Sequence, residues 1–230
     1  MRRIKILLGV LNLLAGFAMI CFCGVLIFRN ETENTEAEQA VTEELPKLEE
    51  KIAEVTGDPE NALYQQWLLG DAYVAPDSAD ADIAEEKSVI PLDGYSYIGY
   101  LSFPTLGTEL PVMDSWDEVR LKRAPCRYYG SAETGDLVIA GHNYRSSFGL
   151  CKKLRVGDTV QFTNAAGIVR RYRVGEIEVV GPDAVDYMIN SDWELSLYTC
   201  TYRGTQRLTI RCAEIRDGSG PMQTPQQNQA

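Results

Sequence analysis

The chain has 230 residues, is 45% hydrophobic and 24% charged, and carries a formal net charge of −11. That length and apolar content suit one good core with appendages rather than two full domains. The acidic balance offers no basic stripe for neutralising phosphates, which excludes nucleic acid as a partner.

Taken from the N-terminus, the first element is an uncharged run, Ile6 to Phe28. As a helix rising ~1.5 Å per residue it would extend roughly 35 Å, enough to cross a bilayer core, and it outruns the ~7–15 residues of a signal-peptide core. Neither Cys21 nor Cys23 follows the small residue that a lipoprotein cleavage site needs. Arg2, Arg3 and Lys5 precede the run, and Glu31, Glu33, Glu36 and Glu38 follow it. The positive-inside bias therefore predicts a cytoplasmic N-terminus and an extracellular remainder.

Residues 31–88 are acidic and hold two helix-like pieces separated by "TGDP". In the first, Val41, Leu45, Leu48, Ile52 and Val55 recur at steps of four and three, which places them on one helix face. In the second, Pro59 suits a first turn, Leu63, Trp67 and Leu68 follow, and Gly70 marks a stop. The pattern reads as a stalk packed loosely on the main domain, with a lid over an active site as the second reading. "APDSADADIAEEK" then reads as a solvated linker.

From Asp93 the texture changes to short alternating runs between turn signals: "YSYIGYLSF", "TELPVM", "DLVIAGH", "DTVQFT", "IVRRYRVGEIEVV", "WELSLYTC" and "RLTIRC". No long helical pattern intervenes, so the expected fold is an all-β sandwich or closed barrel of roughly 125 residues. The sequence after Arg216 is polar and reads as disordered.

Six cysteines are present, of which Cys126, Cys151, Cys200 and Cys212 lie beyond the apolar run. The even number permits a disulfide, but the chain is too core-rich for a disulfide scaffold and no CxxC metal spacing occurs. Half-buried thiols are the ordinary expectation for Cys126, Cys151 and Cys212. The one histidine, His142, follows the buried-strand run "DLVIA" at a sheet edge, where functional loops gather.

Pairing the apolar faces of "LSLYTC" and "RLTIRC" sets Leu195 opposite Cys212, Leu197 opposite Ile210 and Thr199 opposite Leu208. Cys200 then faces Arg207, with Cβ atoms ~4.5–5.5 Å apart. The other strand face, with Ser196, Tyr198, Cys200, Arg207, Thr209 and Arg211, is polar and suits a groove floor. Arg203 belongs to the connecting loop, and Arg211 falls roughly 13 Å along the strand. Arg207 either favours the thiolate or donates to an oxyanion or substrate, two roles the residues leave open.

His before Cys before Arg is not the papain-like order. Together with "AGHNY" (140–144), "LYTC" (197–200), "TQRLTIR" (205–211) and "YIGYLSFPTLGTELPVM" (97–113), it resembles the sortases, membrane-anchored cysteine transpeptidases of Gram-positive surfaces. The resemblance implies an all-β, closed eight-stranded barrel with short helices, preceded by a transmembrane helix and a helical membrane-proximal segment. With the hydropathy and composition read above, the chain is expected to divide into a cytoplasmic tip and span (1–28), an acidic stalk and linker (29–92), a catalytic barrel (93–218) and a disordered tail (219–230). The resemblance assigns His142, Cys200 and Arg207 to catalysis, with Thr199, Asn143 and Tyr198 as candidate substrate contacts. The implied partners are surface proteins bearing an LPxTG-like sorting motif and an amine of a wall precursor or pilin.

Asp58-Pro59 is followed by Glu60 rather than an aromatic residue, and the C-terminus is polar, unlike pilin-polymerising sortases. The span from Val179 to Asp192 is short for the helical insertion of the class handling haem-acquisition proteins, so a housekeeping-like or class D-like type fits better. No metal or other cofactor is expected; calcium, which some sortases bind, would have to use Glu133, Asp136, Asp183 and Asp186. The alternatives are a non-catalytic exported β-barrel binding module and a pilin-polymerising sortase. L,D-transpeptidases also pair Cys, His and Arg, but their Ser-His-Gly-Cys pattern is missing.

Overall fold

A computed structural model describes residues 2–57, 89–201 and 204–216. The second helix-like piece and the linker of 58–88, Arg203, and the tail expected from 219 lie outside them. A helix α1, Arg2–Gln39, passes through a wider π-type turn, Ala40–Glu44, into α2, Leu45–Gly57. Gly9–Phe28 has a mean hydropathy of 2.5 and none of it is buried against the described residues. It is a helix long and apolar enough to cross a membrane.

Among the described residues nine strands follow: β1 (Ile90–Leu92), β2 (Tyr95–Phe103), β3 (Thr108–Met113), β4 (Cys126–Tyr129), β5 (Leu137–Gly141), β6 (Thr159–Asn164), β7 (Val169–Val180), β8 (Leu195–Cys200) and β9 (Arg207–Glu214). Eight of them form a ring in the order β2-β3-β4-β5-β8-β9-β7-β6, closed by pairing of β6 with β2. Closure removes the open edges that a flat sheet would leave. β1 adds antiparallel to the first residues of β2. Two short helices, α3 (Glu118–Arg123) and α4 (Val185–Ile189), decorate the barrel.

The expected closed eight-stranded barrel is therefore what the chain forms, and β2 and β3 coincide with the alternating runs read from the sequence. The inward positions carry the core: Leu101, Phe103, Leu110, Val112, Leu137, Ile139, Phe162, Leu195, Leu197 and Ile210 are all buried. Burying each such side chain contributes about 1.5–3 kcal/mol. At Gly99, with φ of 140°, a Cβ would lie 1.9 Å from the Thr163 carbonyl oxygen. Only a residue without Cβ lets β6 approach β2 here and close the ring.

The helix α2 does not pack loosely. Leu48 and Ile52 are buried in a second cluster with Ile90, Tyr97, Met113 and Cys126. Val55, the last residue of the apolar stripe, is exposed, and Thr56 instead rests against Gly167. One helical turn beyond Ile52 is nearer four residues than three, so Thr56, itself exposed, continues the Ile52 side of the helix toward Gly167.

Glu44 fixes this docking. It is 1% exposed, accepts from Arg123 Nε at 2.7 Å, and also accepts from the Tyr97 hydroxyl. Burial, and then the Glu44 carboxylate, push the Tyr97 phenol well above its ordinary range, so it stays a neutral donor. Glu44→Ala is expected to cost about 2 kcal/mol, because Tyr97 would keep a buried hydroxyl with its acceptor gone. A thermal melt of the detergent-solubilised chain checks this, with the exposed Glu43→Ala as the neutral comparison.

The three flanking cysteines also differ from expectation. Cys126, Cys151 and Cys212 are fully rather than half buried, because each points into one of the two apolar clusters, and all six cysteines are free thiols.

Candidate active site

Three strands meet at one end of the barrel. β5 runs parallel to β8 with Gly141 beside Thr199, and β9 runs antiparallel with Arg207 facing Cys200. The β8–β9 register also pairs Thr199 with Leu208, Leu197 with Ile210 and Leu195 with Cys212. Pleat periodicity and the apolar faces had specified this register.

His142 follows Gly141 as Cys200 follows Thr199. β5 ends level with Thr199, so His142, the residue just past that end, comes to the Cys200 end of the barrel, and both line the same cavity. On the far side, Val180 of β7 pairs with Arg207. Cys200, Arg207 and Val180 thus form one row across β8, β9 and β7, and together with His142, just past the end of β5, they line a single cavity of ≈ 240 Å³.

The position of His142 has a local cause. A Cβ on Gly141 would lie 2.4 Å from the Phe148 ring, so glycine is what lets the 142–149 loop fold back over the end of β5. Ser147 and Gly149 both donate to the Tyr144 carbonyl, at 3.1 and 2.9 Å, and the Tyr144 ring stacks on the His142 imidazole with centroids 4.5 Å apart. Ser146 Oγ donates to the Asn34 carbonyl of α1 at 3.0 Å, so the helix leaving the apolar span braces this same loop.

The cavity walls are largely apolar. Trp116, Leu121 and Tyr128 form one side, and Val180, Pro182, Ala184, Val185 and Met188 the other. Trp116 lies 5.4 Å from Tyr128, which meets Tyr198 edge-to-face at 5.4 Å. Burial, with Tyr128 adding to it, raises the Tyr198 phenol well above its usual range and keeps it neutral. An apolar cleft with a few convergent polar groups is a favourable setting for charge development.

A half-buried free thiol, an imidazole and a guanidinium lining one cavity can supply a nucleophile, a proton carrier and an oxyanion donor. Arg207 Nη1 donates to the carbonyls of Gly204 and Gln206, at 3.1 and 3.3 Å, which ties the guanidinium to its own turn. A sortase-domain family model matches residues 101–215, half of the chain.

The chain belongs to the sortase family. Sortases are cysteine transpeptidases, and this chain is one of them. Among solved structures it is similar to sortase C from Streptococcus pneumoniae, with a TM-score of 0.56 and 19% identity over 78% of this chain and 100% of that one. It is also similar to sortase C1 from Streptococcus agalactiae (TM-score 0.50, 23% identity, 77% of this chain and 98% of that one). A lid mutant of sortase A from Corynebacterium diphtheriae gives a TM-score of 0.50 at 19% identity, over 74% and 95% of the two chains. These likenesses carry the fold. No curated protein matches.

Within this sortase, the residues expected to contact substrate fall in different places. Tyr198 lines the cavity beside Cys200. Thr199 is 3% exposed with its Oγ1 buried and unpartnered among the described residues, because alternation turns its side chain toward the core with Leu197. Its main chain is what borders the cavity. Asn143 is half-buried and sits outside the cavity lining.

The polar face of β8 and β9 is an exposed groove floor only at its Cys200 end. Ser196, Thr209 and Arg211 are 0%, 0% and 1% exposed, because α4 lies across them. Sequence reasoning missed this cover, and also missed the wall of Trp116 and Leu121. The signal for the latter was present: Asp117 accepts from the Val119 and Arg120 amides, and "DEVRLKR" ends in basic residues, a capped short helix.

Among the described residues, no group of three or more His, Cys, Asp or Glu could hold a metal ion. Of the four acids considered for calcium, Glu133 accepts from Asn164 Nδ2 at 2.9 Å and Asp136 from the Ser131 amide at 3.1 Å. Asp183 and Asp186 stand exposed around the start of α4.

The thiols separate cleanly in environment. Burial pushes Cys126 up to about 12 and raises Cys151 and Cys212 as well, so these three stay protonated and enclosed. Brief iodoacetamide treatment of the detergent-solubilised chain is expected to modify Cys200 and spare those three, as read by peptide mass mapping. Equal labelling of Cys126 and Cys200 would contradict this assignment.

Proposed function

We propose that this sortase is anchored by the Gly9–Phe28 helix, N-terminus in the cytoplasm, with its barrel on the outer surface. The division into span, membrane-proximal segment, barrel and tail is part of the same reading. Its substrates are surface proteins carrying a C-terminal LPxTG-like motif, and its acceptor is an amine of a wall precursor or pilin.

In this mechanism the Cys200 thiolate attacks the scissile carbonyl carbon and the C–N bond breaks. His142, as imidazolium, gives a proton to the leaving amine, and a thioester remains on Cys200. The incoming amine gives a proton to the neutral imidazole and attacks the thioester carbonyl, and the Cys200 thiolate departs. Arg207 donates to the carbonyl oxygen as negative charge develops on it, and Tyr198 and the main chain of Thr199 border the bound peptide. No metal or other cofactor takes part.

The observation that carries the reading is that Cys200 faces Arg207 across β8 and β9 and that both line one cavity with His142. The test is to incubate the full chain in detergent micelles with a sorting-peptide library, with and without a small amine. Cleavage at one peptide bond is expected, with the amine appearing on the new C-terminus. Peptide binding without cleavage would instead favour a non-catalytic module.

A further inference from the structure

Arg211 heads the largest fully buried side chains of the barrel, and a guanidinium so enclosed is costly unless its donors are met. They are met by α4 and the residue Ser191 beyond it, by Glu178 of β7, and by Ser196 of β8, whose Oγ accepts from Nη1 at 2.9 Å. Nη2 donates to the Tyr187 carbonyl at 3.1 Å, and Nη1 reaches the Met188 carbonyl at 3.4 Å and Ser191 Oγ at 3.3 Å. Nε donates to Glu178 Oε1 at 3.0 Å, while the Tyr187 hydroxyl donates to Glu178 Oε2 at 3.0 Å. The Tyr187 ring covers the guanidinium with its centroid 4.9 Å from Cζ.

The helix so held, α4, has five residues and no side-chain cap at its N-terminus. A helix that short has no stability of its own, and its last carbonyls lack partners within it. The Tyr187 and Met188 carbonyls are of that kind, and Arg211 satisfies both. Val185 and Met188 of the same helix line the cavity.

We infer that Arg211 is a positioning residue for substrate binding: by capping and clamping α4 from below, it fixes the cavity wall on which the peptide is seated. It acts on affinity rather than on the chemical step. Arg211 pairs with Ser196, four residues from Cys200 and so roughly 13 Å along the strand. The inference rests on the reading of the Cys200 cavity as the peptide site.

The experiment uses the full chain in micelles and a peptide that the unsubstituted protein cleaves. Arg211→Lys keeps the charge but loses the planar fork, and is expected to raise KM about tenfold with kcat within about twofold. In a Cys200→Ala background, the same substitution is expected to weaken the peptide's Kd by about the same factor. Arg170→Lys, which disturbs another ion pair (Arg170 with Glu214) away from the cavity, separates general destabilisation from the specific effect and is expected to leave KM unchanged.

Should Arg211→Lys fail to fold, Glu178→Gln reads the same clamp with the guanidinium intact, and a KM rise of about threefold is expected. An unchanged KM and Kd in whichever of the two variants folds, or a fall in kcat at constant KM, would overturn the inference. If the unsubstituted protein cleaves no peptide, it is the functional reading that fails.

Discussion

Cys200→Ala is expected to abolish cleavage of sorting-motif peptides, lowering kcat/KM by about 10⁴-fold or more, since no other group can form the acyl intermediate. Cys200 is the half-buried cysteine of the barrel, facing Arg207 and lining one cavity with His142. Cys126→Ala, Cys151→Ala and Cys212→Ala remove sulfur from closed apolar clusters. They are expected to cost about 1 kcal/mol of stability each and to retain turnover. Steady-state kinetics of the four variants checks the contrast, and substantial activity in Cys200→Ala would remove the nucleophile from the mechanism.

Arg207→Lys is expected to lower kcat by about 10²-fold with a smaller change in KM. A guanidinium is a rigid fork of five donors, and a lysine ammonium is a point charge on a flexible stem. Nη1 is already tied to the carbonyls of its own turn, so the plane of the group is set before substrate arrives. Lysine can meet those carbonyls or the developing oxyanion, but not both in the same geometry. The kinetic signature differs from that of Arg211→Lys, where the loss falls on KM. Interchanged signatures would refute both roles together.

The β8–β9 register was legible because it depends on local alternation and a six-residue loop. Leu195, Leu197, Leu208 and Ile210 share one face only in registers that differ by two residues, and the short loop selects among these. The closeness of His142 to Cys200 was not legible that way. It depends on β5 lying parallel to β8 across more than fifty intervening residues, which no local pattern encodes. The family resemblance supplied that pair instead.

The same distinction explains Arg211. Its alternation position was read correctly, but a polar strand face resembles a solvent face until something is known to cover it. The cover comes from α4 and from Glu178 on β7, both brought in by tertiary pairing. α2 gives the complementary case. Leu45, Leu48 and Ile52 announced an apolar stripe, while the buried Glu44 that anchors it looked like one more acid in an acidic segment. Its partners Tyr97 and Arg123 are distant in sequence, so burial could not be anticipated.

The central claim is that Cys200 carries the acyl group between donor peptide and acceptor amine. Acid-quenching the full chain during turnover of a sorting peptide, digesting it and weighing the fragments tests this directly. The fragment containing Cys200 should gain the mass of the peptide's N-terminal acyl portion. That adduct should disappear when an amine acceptor is added and be missing in Cys200→Ala. Turnover with the adduct on another residue, or with no adduct while cleavage persists in Cys200→Ala, would contradict the account.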